Sequence, residues 1–126
     1  MSEKTIRPYG LWPSPVSPVM LGQSIRLDNP QFDSDGHTLA WLEGRSDRGV
    51  LVARPGSQAT VDLTDEPSVR AQVGYGGGDY TLSQGTLIFV DRSGRLFRRT
   101  LGFDQPRPIT PAHGFAASPL LSPNGE

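Results

Sequence analysis

The run Asp33-Ser34-Asp35-Gly36-His37-Thr38-Leu39-Ala40-Trp41-Leu42-Glu43 decides how this chain reads. Asp-Gly is a strong hairpin dipeptide, because glycine enters the left-handed backbone region that tight turns require. Thr38 to Glu43 then predicts a strand whose apolar side chains fall on both faces, Leu39 and Trp41 on one and Ala40 and Leu42 on the other. Such a strand needs cover on both sides, so it belongs in stacked sheets and not in a single half-wet one.

Outward from this run the text stays β. A polar loop from Gly44 to Arg48 leads to Gly49-Val50-Leu51-Val52-Ala53-Arg54, closed by Pro55-Gly56. Ala59-Thr60-Val61-Asp62-Leu63 predicts a short fourth strand, ended by Thr64-Asp65-Glu66-Pro67. The pattern then recurs. Tyr80-Thr81-Leu82 precedes the turn Ser83-Gln84-Gly85, and Thr86 to Val90 is the next strand. Asp91-Arg92-Ser93-Gly94 turns into Arg95-Leu96-Phe97-Arg98-Arg99, which alternates on a period of two, and Pro106-Arg107-Pro108-Ile109 closes the second unit. A third copy starts at Ala117-Ser118-Pro119-Leu120-Leu121-Ser122-Pro123-Asn124-Gly125.

Gly36, Gly85 and Gly125 hold the same place in each copy, 49 and 40 residues apart, and Leu63 and Ile109 close the two complete units 46 residues apart. A period of about 40 to 50 residues with four short strands per period is the pattern of propeller blades, which bury their faces only by stacking on neighbours. The expected fold is therefore all-β: a partial β-propeller of two four-stranded blades plus the first strand of a third, with an extended N-terminal arm. The expected divisions are an arm over 1–29, blade 1 over 30–67, blade 2 over 68–112 and a truncated blade 3 over 113–126. Propellers close with about four to eight blades, so the chain reads as a fragment.

Composition agrees. Gly 15 and Pro 12 make up about a fifth of 126 residues, against an average near 12%, and both residues break helices, which excludes a helical bundle. Cysteine is absent, which excludes a disulfide framework and a thiolate metal or redox site. Twelve basic residues against 13 acidic ones leave no surplus to grip a phosphate backbone, so no nucleic-acid partner is expected. No apolar run approaches the 18 or so residues of a membrane helix, and the N-terminus lacks a signal-peptide core, so no membrane partner and a cytoplasmic location are expected.

The arm is punctuated by Pro8, Pro13, Pro15 and Pro18, with Tyr9, Leu11 and Trp12 between them. Ser17-Pro18 reads as an N-cap followed by proline at the first helical position, predicting a short turn over Val19 to Leu21 that stops at Gly22. Leu11 and Trp12 are expected to pack onto the β region C-terminal to the arm; a proline-rich docking ligand is the alternative.

The residues that carry chemistry are few. His37 and His113 are the two histidines, and both fall in loops. No Gly-x-Ser-x-Gly elbow occurs; Gly44-Arg45-Ser46-Asp47-Arg48-Gly49 misses it by one residue and lies on a hairpin. No nucleophile-base set, and so no catalytic residue, is assigned. Asp33-x-Asp35-Gly36 lacks the remaining ligands of a calcium loop and reads as a turn, so no metal and no cofactor are expected. Gly74-Tyr75-Gly76-Gly77-Gly78-Asp79-Tyr80 lacks the Gly-Lys-Ser/Thr end of a phosphate loop. Its glycines suit close backbone packing where an inner strand lines a narrow channel, which makes Arg70 and Tyr75 the candidate substrate-channel residues.

Four stretches carry a family resemblance. Tyr9-Gly10-Leu11-Trp12-Pro13-Ser14-Pro15-Val16-Ser17-Pro18, Phe32 to Glu43, Ser68-Val69-Arg70-Ala71-Gln72-Val73 with Gly74-Tyr75-Gly76-Gly77-Gly78-Asp79-Tyr80, and Ser118 to Gly125 together resemble the N-terminal propeller segment of prolyl oligopeptidase-family serine peptidases, in their bacterial aminopeptidase-like branch. Arg70 placed five residues before Tyr75 in the Tyr-Gly-Gly-Gly stretch is the specific part; the Ser-Pro-Asn-Gly turn is shared with TolB-like propellers. The family often carries His-Glu where this chain has Val73-Gly74, so no role of that pair transfers. The resemblance implies a propeller that restricts access of short peptides to a C-terminal α/β-hydrolase domain, which holds the catalytic triad and is absent from this chain. The implied partners are the remaining blades, that hydrolase domain and peptide substrates; a stand-alone TolB-like interaction module is the alternative.

Overall fold

The computed structural model describes residues 4–70 and 78–125. It contains two four-stranded antiparallel sheets, each ordered as the chain runs. The first comprises β1 (Arg26–Phe32), β2 (Thr38–Arg45), β3 (Arg48–Pro55) and β4 (Val61–Asp62). The second comprises β5 (Tyr80–Ser83), β6 (Thr86–Val90), β7 (Leu96–Thr100) and β8 (Arg107–Pro108). One helix, α1 (Pro18–Gly22), precedes them; the Ser17 hydroxyl accepts from the Met20 amide and Pro18 opens the first turn. Among the described residues no helix is long and apolar enough to cross a membrane.

The register explains why β2 is apolar on both faces. Ala40 opposes Ala53 and Leu42 opposes Leu51, while Trp41 opposes Val52 and Glu43 opposes Val50. The Ala40–Leu42 face meets Tyr80, Leu82, Leu87 and Phe89 of the second sheet in one buried cluster that also takes in Leu63 and Val69. Phe89 stacks on Phe97 with centroids 5.4 Å apart, within the range of favourable aromatic pairs. The other face of the first sheet ends in a polar network: Arg45 bridges Glu43 and Asp62, and the Trp41 indole donates to Glu43 at 2.9 Å.

The sheets are joined along their first strands and their hairpins. The Tyr80 hydroxyl donates to the Asn29 carbonyl at 2.6 Å, and the Gln31 amide group donates to the Tyr80 carbonyl at 3.0 Å. Asp33 is buried at the turn after β1; one of its carboxylate oxygens accepts from the Gly85 amide, and the Ser34 hydroxyl accepts from the Gln84 amide. The connector from β4 crosses both sheets. Val69 donates to the Gly49 carbonyl, Arg70 donates to Val90, and Ser68 accepts from Arg92.

Residues 114–123 repeat this arrangement on the far side of the second sheet. Ala116 donates to the Gly94 carbonyl as Val69 does to Gly49, Ser118 exchanges bonds with Gly78, and the Gln84 side chain donates to Pro123. Gly125 donates to Ser122 as Gly36 does to Asp33, so the Ser-Pro-Asn-Gly run forms the same turn. No named strand forms over 117–121 among the described residues.

Several sequence expectations are adjusted. β1 begins at Arg26, inside the stretch that reads as arm, because Arg26 to Asp28 pair with Gly44 to Leu42 before a register shift at Asn29 and Pro30. The predicted loop from Gly44 to Arg48 shrinks to Ser46 and Asp47, since Arg45 pairs with Arg48 across a turn in which Ser46 takes φ 53. Leu11 and Trp12 are exposed, Trp12 at 64%, and the indole donates to the Arg7 carbonyl within the arm. The arm's own prolines hold it in a local turn, with the Leu11 amide bonded to Pro8.

Candidate functional site

The two sheets and the connector enclose a cleft of about 720 Å³. Its charged lining is Arg26 of β1, Arg48 at the start of β3, Arg70 of the connector and Arg92 of the β6–β7 turn, set against Asp28, Asp47 and Asp79. Gly22, Ser24, Gly44, Ser46 and Gly49 complete the lining together with the apolar Leu42 and Val69. Gly49 is required there: a Cβ would overlap the Val69 carbonyl, so only glycine lets the connector lie against the hairpin.

The arginines differ in what holds them. Arg26 pairs with Asp28 at 2.7 Å, and Arg48 pairs with Asp65 at 3.1 Å. Arg92 lies on the turn locked by Asp91, whose carboxylate accepts from the Ser93 and Arg95 amides. Arg70 is exposed, its backbone amide is fixed on Val90, and its side chain makes no ion pair among the described residues. The structure thus brings Arg70 to the cleft; Tyr75 lies outside the described residues, so the pair is not brought together here.

Asp33 and Asp35 act as structural carboxylates. Asp35 accepts from the His37 and Thr38 amides at 2.7 and 2.8 Å and from the Thr38 hydroxyl, and these bonds hold its carboxyl below the usual range. His37 is exposed on that turn and His113 is exposed in the loop after β8. Among the described residues no group of three or more His, Cys, Asp or Glu side chains could hold a metal ion.

Sequence reasoning missed Arg26, Arg48 and Arg92 as neighbours of Arg70. No local pattern unites them, because four separate segments supply the lining, and only the sheet-to-sheet packing assembles it. Leu42 and Val69 beside them are buried and Gly49 is half-buried, but which residues they neighbour depends on the register. No known protein family, curated protein or solved structure matches this chain.

Proposed function

We propose that the chain is a non-catalytic propeller segment of a prolyl oligopeptidase-type serine peptidase, one that restricts the passage of short peptides to a hydrolase domain. The observation that carries this reading is the repeated junction. The first sheet docks on the second through Val69–Gly49 and the Asp33 turn, and residues 114–123 dock on the second sheet through Ala116–Gly94 and the Ser122 turn. One step applied twice in the same sense is what a propeller needs.

A second observation supports further blades. The face of the first sheet that carries Leu39 and Trp41 also presents Leu27 and Phe32, which are 66% and 64% exposed. On the second sheet Leu82, which holds the place of Phe32, is buried, and Leu87 and Phe89, which hold the places of the half-buried Leu39 and Trp41, are fully buried. An apolar sheet face of this kind is stable when another sheet covers it. In this reading Arg70 lines the substrate passage, in the cytoplasm, and the hydrolase domain and remaining blades are the partners.

The test is the reading frame beyond residue 126 and the activity of its product. Further four-strand repeats followed by a Gly-x-Ser-x-Gly elbow, with cleavage of short peptides but not folded proteins, is the expected result. Repeats with no hydrolase segment would replace this reading by a TolB-like interaction module.

A further inference from the structure

We infer that the arginine-lined cleft is a recognition site for a single carboxylate, with the Arg70 guanidinium as its anchor. This rests on the reading of the cleft as a peptide passage and names the group it selects. The charges decide the ligand class. The lining carries four arginines against three aspartates, and Asp65, beyond the lining, takes up Arg48. The cleft therefore has no surplus field with which to hold a dianion or a polyanion. What remains is directional: Arg70 makes no ion pair among the described residues, and its backbone is pinned by the bond to Val90. A planar guanidinium on a fixed backbone matches a carboxylate through two parallel bonds.

The surroundings favour the same ligand. Leu42 and Val69 are the apolar members of the lining, so the cleft is not polar throughout. A volume of about 720 Å³ suits a ligand of a few residues and not a folded partner. A peptide C-terminus, or an acidic side chain in a short peptide, has this chemistry.

The test is calorimetric titration of the chain with acetyl-Ala-Ala as the free acid, as its carboxamide, and with inorganic phosphate. The free acid is expected to bind at least tenfold tighter than the amide and tighter than phosphate. Arg70→Gln should bring the acid-to-amide ratio below twofold, while Arg107→Gln, on the exposed β8 outside the cleft, should leave it intact. Should Arg70→Gln fail to fold, salt serves instead. Raising ionic strength from about 0.01 M to about 1 M shortens the screening length from about 30 to about 3 Å, and should weaken the acid and spare the amide. Equal binding of acid and amide overturns the carboxylate inference and leaves the peptide passage standing. Tighter binding of phosphate overturns it as well. Failure of both peptides to bind at millimolar concentration overturns the passage reading and the inference together.

Discussion

Tyr80→Phe isolates one buried side-chain tie between the sheets. The Tyr80 side chain is 2% exposed, and its hydroxyl donates to the Asn29 carbonyl at 2.6 Å, at the place where β1 shifts register and Asn29 takes φ 51. Phenylalanine keeps the ring, so no ring-sized cavity opens. The loss is one hydrogen bond plus the cost of an acceptor left without its donor, about 1–3 kcal/mol in total. Asn29 is half-buried, so water reaches part of the vacated place, and the expected loss lies near 1–2 kcal/mol. For a chain of this length that corresponds to a fall in Tm of about 3–8 °C. The alkaline limb supplies an independent signature. Burial pushes the Tyr80 phenol above its ordinary value. The unfolded chain then releases this proton from about pH 10 while the folded chain retains it, so stability is present below that pH and is lost as pH rises, by about 1.4 kcal/mol per pH unit. The Phe variant lacks this loss. Urea unfolding followed by circular dichroism should show the variant weaker at neutral pH and the gap closing about one unit above pH 10. Equal midpoints at neutral pH, or parallel alkaline limbs for the two proteins, would refute the tie.

Phe89→Ala removes a fully buried ring stacked on Phe97 and should cost about 3–5 kcal/mol, a large part of a typical domain's 5–15, read as loss of the cooperative urea transition. Gly49→Ala drives a Cβ into the Val69 carbonyl, whereas Gly56→Ala at φ 54 faces open space and should cost only about 1–2 kcal/mol for its left-handed backbone. Urea midpoints that rank Gly56→Ala as the worse variant would contradict the close approach of connector and hairpin. Asp35, whose carboxyl is held low by the Thr38 and His37 amides, contributes stability that is present above the ordinary carboxylate pKa of about 3.9 and is lost as pH falls through its lower folded value. Asp35→Ala should therefore flatten the acid limb of an unfolding series below about pH 4, and an unchanged limb would show that the turn carboxylate does not titrate with folding.

The parts of the fold legible in the sequence are those written in local chemistry. Asp-Gly and Gln-Gly turns, and the doubly apolar runs at Leu39–Leu42 and Leu87–Val90, identify the hairpins β1–β2 and β5–β6 and the need for cover on both faces. β1 was legible only in its last residues, because Arg26, Asp28, Asn29 and Pro30 carry no strand pattern and pair only because β2 offers them an edge. Trp12 and Leu11 look like core residues by type, yet the prolines around them hold the arm in a local turn that leaves both exposed. Of the cleft's charged lining, Arg70 alone is a residue that the sequence singles out. Its other arginines come from β1, β3 and the β6–β7 turn, and no spacing along the chain relates them.

Recognition between successive sheets is written mainly in backbone, and this explains how the repeat survives so little sequence likeness. The Val69–Gly49 bond and its counterpart 45 to 47 residues later, Ala116–Gly94, both run from a main-chain amide to a main-chain carbonyl. Each demands one thing of the sequence, a glycine whose missing Cβ admits the crossing segment. On Gly94 a Cβ would meet the Gly114 carbonyl at 2.6 Å. The hairpin ties ask equally little: an Asp33 carboxylate and a Ser34 hydroxyl against backbone amides at one junction, a Gln84 amide against the Pro123 carbonyl at the next. Side-chain identity is then free to vary wherever burial is satisfied, so Ala40 and Leu42 on one sheet and Ile88 and Val90 on the other fill like positions with different volumes. Arg70 reflects the same economy. Its backbone is committed to the junction with Val90, and that fixed attachment leaves the guanidinium available to the cleft.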